Sequence, residues 1–211
     1  MYMYPIGIPV YQYPIRAEGD HTFQTWVRSG YSTSAVQLMN LMRTLWEQHV
    51  AWTRMTIISI AEGLADEAAV TQRLLRNVPD MAVVFRHFYG SKVASRFETL
   101  FRDHLVIAAE LVKAAKAGDS AKTADAEKRW YANADQLAEF FSSINPYWPK
   151  EEVKKMFYEH LALTKSEAAH RLTKDYAADI ADFDEIEKQA LLMADMFSNG
   201  LIQQFPSVFT S

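Results

Sequence analysis

Between residues 93 and 114 the chain alternates steps of four and three residues between side chains of one face: Val93, Phe97, Leu100, His104, Ile107, Leu111 and Ala114. Only an α-helix with a single buried stripe uses that spacing. The same period recurs through most of the chain. It predicts a long helix over about 34–62 (Leu38, Leu41, Leu45, His49, Trp52, Thr56, Ser59), ended by Gly63, and two short helices over about 66–76 and 80–89. The KAGDS break at 116–120 closes the 93–114 stripe. Further helices follow over about 120–143, 150–175 and 179–203, the last stopping between Gly200 and Pro206. With only 7 Gly and 7 Pro in 211 residues, little interrupts these runs. Short connections make neighbouring helices antiparallel. The fold class expected is all-α: an antiparallel up-and-down helical bundle of four or five long helices plus an inserted short helical pair, over residues 34–206.

Residues 1–33 read differently. Pro5, Pro9 and Pro14 remove backbone donors and favour extended neighbours. Yet Tyr2, Tyr4, Ile6, Ile8, Val10, Tyr11, Tyr13 and Ile15 make the segment too apolar and aromatic for an ordinary disordered tail. We expect an extended arm that packs on its own bundle or joins subunits into homo-oligomers or fibres.

Composition removes several function classes. The net charge of −4 gives no electrostatic footprint for nucleic acid. The absence of cysteine excludes disulfides, thiolate metal sites and cysteine nucleophiles. No phosphate-binding glycine loop, no nucleophile elbow and no H-E-x-x-H pair occurs, so nucleotide binding and catalysis have no motif to rest on. No apolar run approaches the roughly 18 residues of a membrane span and no signal peptide is visible, which leaves a cytoplasmic protein as the expectation and spore or surface assembly open.

The chemistry-bearing residues are three histidines on apolar stripes: His49 in LWEQHVAW, His104 in LFRDHLVIAAE and His160 in FYEHLALTKSE. Each lies near the middle of its helix, as does Asn133. In a bundle of matched lengths the midpoints share one layer. Buried polar groups need partners. One solution is a hydrogen-bonded polar layer. The other is a transition metal (zinc, iron, manganese or copper) held by His49, His104 and His160, with Glu167 or Asn133 completing or orienting the set. An enzyme using this layer has the least support. The remaining polar residues take plainer readings: Asn77 and Asp80 as helix caps, Asp195 paired to Arg54, Arg73 or Arg171, and His170, Asp175 and Asp179 as solvated residues near a helix end.

The segments HVAWTRMTIIS, RLLRNVPD, WYANAD, NPYWP, EHLALTKSE and MADMFSNGLIQQFP together resemble a group of small helical proteins from spore-forming and other soil bacteria, over about residues 45–206. The group's positions His49, Arg54, Asn77, Asp80, His104, Asn133, Asp135, His160, Glu167 and Asp195 are all present. Its members often carry the labels acetylglutamate kinase or glycosyltransferase. Neither fits a chain without glycine-rich phosphate loops or strand–helix alternation. The resemblance implies a helical bundle, and leaves the aromatic arm as the part peculiar to this chain.

Overall fold

The computed structural model describes residues 31–210. The proposed arm therefore lies outside the described residues, apart from its last few. The rest is helical: α1 (Thr33–Glu62), α2 (Glu67–Leu75), α3 (Asn77–Tyr89), α4 (Ser91–Lys116), α5 (Ser120–Ile144), α6 (Lys150–Thr173) and α7 (Tyr176–Gln204), then a 3-10 turn at Pro206–Phe209. Local chemistry sets the ends. Ser32, Asp119 and Asp175 accept from backbone N–H groups of the first turns of α1, α5 and α7. Gly63 closes α1 at φ +67°, and its N–H and that of Leu64 take the last carbonyls, from Ile60 and Ser59. Pro79 has no N–H to give Leu75, so α2 cannot continue into α3.

Five long helices pack in a ring. Side-chain pairs fix the directions. Arg43 meets Asp195 and Arg54 meets Asp179, so α1 and α7 are antiparallel. Gln189 meets His160 and Asp182 meets His170, so α6 and α7 are antiparallel. Glu139 with Lys150 and Glu127 with Lys165 run α5 against α6, and Glu110 with Arg129 and Leu100 with Asn133 run α4 against α5. The ring closes on a parallel pair: His49 packs on Phe101, and Lys116 reaches the Ile60 carbonyl. An odd ring must contain one such pair. The α2–α3 excursion makes it possible, because it carries the chain back to the level where α1 began.

The bundle is all-α as expected, and several finer expectations are corrected. Helix α7 ends at Gln204, between Gly200 and Pro206 as expected, and starts at Tyr176, three residues earlier than expected. Gly200 is a packing residue: a Cβ on it would lie 2.0 Å from Trp148 Nε1, so the indole rests directly on the α7 backbone. Asn77 is no cap. It is fully buried and its Nδ2 donates to the Leu45 carbonyl, pinning α3 to α1. Asp195 pairs with Arg43 through two contacts of 2.7 and 2.6 Å. Among the described residues no helix is long and apolar enough to cross a membrane.

Candidate functional site

Each long helix gives one buried polar side chain to a common layer: His49 from α1, His104 from α4, Asn133 from α5, His160 from α6 and Gln189 from α7. The amides hold two of the imidazoles from behind. Asn133 Nδ2 donates to the Leu100 carbonyl at 3.0 Å, which leaves its Oδ1 facing His104 Nδ1 at 2.9 Å. Gln189 Nε2 donates to the Met156 carbonyl at 2.9 Å, which leaves its Oε1 facing His160 Nδ1 at 3.1 Å. An amide oxygen only accepts, so both Nδ1 atoms carry the proton and both Nε2 atoms keep the lone pair. His49 has no such support. Its Nδ1 is buried without a partner among the described residues. Its ring packs on Trp46, Phe101 and His160, with a centroid distance of 5.6 Å to His160.

The three imidazoles line a cavity of about 30 Å³ that extends between α1, α4 and α6. About 10–15 Å³ admits one water, so the space takes on the order of two small molecules or ions. Its walls are mostly aliphatic, with Ile57, Ile60, Leu74, Leu105 and Val112 among them. Thr53, Thr56 and Thr164 also face it. Each threonine hydroxyl donates at 2.8 Å to the carbonyl four residues earlier, so only its lone pairs remain. Trp130 supplies one unpartnered N–H. Lys165 also lines the space, with its ammonium donating to Glu127. The acceptors contributed by the imidazoles and threonines are satisfied by water protons or by a cation.

Burial keeps the imidazoles neutral. Desolvation lowers His104 to about 3 and His160 to about 4, and a charged His160 would lower His104 further. His49 lies well below its ordinary value, through desolvation first and the neighbouring His160 and His104 second. Neutral rings with free Nε2 atoms are the form a metal ion requires. Two zinc–nitrogen bonds of ordinary length and tetrahedral angle set ring centres roughly 5 Å apart, near the His49–His160 spacing. Among the described residues, however, no group of three or more His, Asp or Glu side chains is placed so that it could hold a metal ion.

Glu167 is buried but is not brought to the imidazoles. Its Oε1 accepts from Arg54 at 2.6 Å, and Arg54 also holds Asp179 at 2.8 Å. Desolvation raises Glu167 to about 7 despite the guanidinium. Asp179 is fully buried, which corrects its reading as a solvated residue: besides Arg54 it meets Arg171 at 3.4 Å, and Arg171 continues to Glu62 at 3.0 Å. His170 pairs with Asp182 at 2.7 Å, away from the layer. Asp135 lies on the surface with Lys154 and Tyr158. Sequence reasoning missed Gln189. The signal was its position three residues after Ile186 and four before Met193, both buried on the same face. Comparison with protein-family models, curated proteins and solved structures finds no match to the chain.

Proposed function

We propose that the central layer binds one transition-metal ion of the imidazole-preferring class, with His49, His104 and His160 as ligands and Asn133 and Gln189 as the residues that orient two of them. The observation that carries this reading is the pair of anchored amides. A histidine that donates Nδ1–H to a fixed oxygen and presents Nε2 to an open space has the arrangement typical of metal ligands. The lone pairs of the imidazoles and threonines support the same reading, and the cationic residue of the lining, Lys165, has its charge engaged by Glu127. Glu167 stays with Arg54 and is not a ligand in this account. Zinc, copper, iron and manganese all fall within the class, with zinc and copper best suited to a set of imidazoles.

The test is elemental analysis of untagged protein as purified and after incubation with each ion. The expected result is near-stoichiometric metal in the wild type and its loss in His104→Ala. Asn133→Leu, which leaves every ligand in place, is expected to weaken affinity by about 10–100-fold. A wild type that stays metal-free after incubation would make the layer a structural polar core completed by water.

A further inference from the structure

We infer that α2 is a hinged lid over the histidine cavity, and that small ligands reach the imidazoles when it lifts. This rests on the layer being a binding site. The seam between the parallel helices α1 and α4 differs from the other boundaries of the ring. The α4–α5 and α5–α6 boundaries are crossed by the Glu110–Arg129 and Glu127–Lys165 ion pairs. The α6–α7 boundary is crossed by His160–Gln189 and His170–Asp182. Between the parallel helices α1 and α4, bridged near one end by Lys116 donating to the Ile60 carbonyl, the cavity meets α2, whose Leu74 is its contribution to the wall.

Little holds α2 down. Leu74 is its one buried residue, whereas the neighbouring α3 buries six. It is tethered to α4 by the half-exposed Glu67–Lys113 pair, and to α1 by Arg73 over the Trp52 ring and, at its first end, by Ser59 Oγ donating to Asp66 at 2.9 Å; Leu75 adds a partly buried contact with the core. The docked position also leaves polar atoms unmet. Thr71 Oγ1 and Arg73 Nη1 are buried with no hydrogen-bond partner among the described residues, and water would satisfy both on opening. Both ends can hinge. The Gly63 turn lies before α2, and the single residue Arg76 joins it to α3, whose Asn77 is locked to α1. An element with few buried contacts and unmet polar groups belongs to the low-stability end of a fold.

The chain has no cysteine, so Glu67→Cys with Lys113→Cys gives a clean pair for a short reversible thiol cross-linker. Two rates are followed: zinc uptake, and solvent exchange of the His104 Nδ1 proton by NMR. The cross-link is expected to slow both by about tenfold or more and thiol reduction to restore them, while Leu74→Ala speeds them by about tenfold. Wild-type rates in the cross-linked protein would overturn the lid. Gated proton exchange in a protein that takes no zinc would leave the lid standing and remove the metal reading. Zinc binding with ungated exchange would do the reverse.

Discussion

On one side of the histidine layer the core is ring against ring; on the other it is aliphatic, hollow and charged. Trp46, Phe85, Phe97, Phe101, Phe141, Trp148, Phe157 and Phe197 fill the first side, with centroid separations such as 4.3 Å for Phe85–Phe97 and 4.5 Å for Phe141–Phe197. The second side holds Ile57, Ile60, Val112 and Ala168, the cavity, and beyond them the Arg54–Glu167–Asp179 cluster. Large flat rings from six helices and the α5–α6 connection interdigitate closely and leave only about 10 Å³ of space among them, a third of the cavity on the other side. Small side chains between helices held apart do not, so that side is where a ligand has room. The histidines mark the boundary, with His49 and His104 touching Phe101 on one side and the cavity on the other.

The largest effect expected from breaking the charged side comes from Arg54→Met. It leaves Glu167 and Asp179, each at most 1% exposed as residues, without their shared guanidinium. Removing one partner of a buried ion pair costs about 3–5 kcal/mol. Urea denaturation is expected to show that loss as a lower midpoint at unchanged slope. Adding Glu167→Leu is expected to recover part of it, because the stranded charge is then gone. A single variant as stable as wild type would show that water already screens the cluster.

The aromatic side is tested by Gly200→Ala, a change that on an ordinary helix surface would stabilise. Here the new methyl meets Trp148 Nε1, Cδ1 and Cε2 at 2.0, 2.6 and 2.8 Å, and Trp148 is fully buried. The expected cost is about 3 kcal/mol, the upper part of the range for overpacking. A near-neutral result in the same denaturation assay would mean this side is softer than its ring contacts imply.

The helices and the polar layer were legible because both follow from one-dimensional spacing: His49, His104, Asn133 and His160 fall on apolar stripes near helix midpoints. What failed depended on partners distant in sequence. Asp179 stands one turn into α7 and reads as solvated, yet its partner Arg54 is 125 residues away. Gly200 gives no local sign of its packing role, because nothing near it in sequence reveals that Trp148 lies against it. Gln189 escaped notice because an amide carries no chemistry of its own; it matters only through the histidine it faces. The cavity depends on how far apart α1 and α4 sit, which no stripe encodes.

The smallest expected effect is also the sharpest probe of the boundary, and it is read through pH. The folded-state values of His104 (about 3), His160 (about 4) and His49 lie below the ordinary 6.5. Below pH 6.5 the unfolded chain therefore binds protons that the folded chain refuses, and stability falls as pH falls towards those lower values. Each such group contributes at most about 1.4 kcal/mol per pH unit. Glu167 acts in the opposite sense. Its folded value of about 7 stands above 4.5, so from 4.5 to 7 its contribution falls as pH rises and cancels roughly one histidine. The comparison that isolates the layer is wild type against the paired change His104→Leu with Asn133→Leu, both with chelator present. Removing both partners leaves no stranded polar group, and the slope of stability against pH between 5 and 6 is expected to drop by about 1.4 kcal/mol per unit. Glu167→Gln is expected to raise that slope by a comparable amount. A slope unmoved by the His104 and Asn133 pair would mean that a charged imidazole is stabilised inside the bundle, and the layer would then belong with the charged side of the core rather than with the aromatic one.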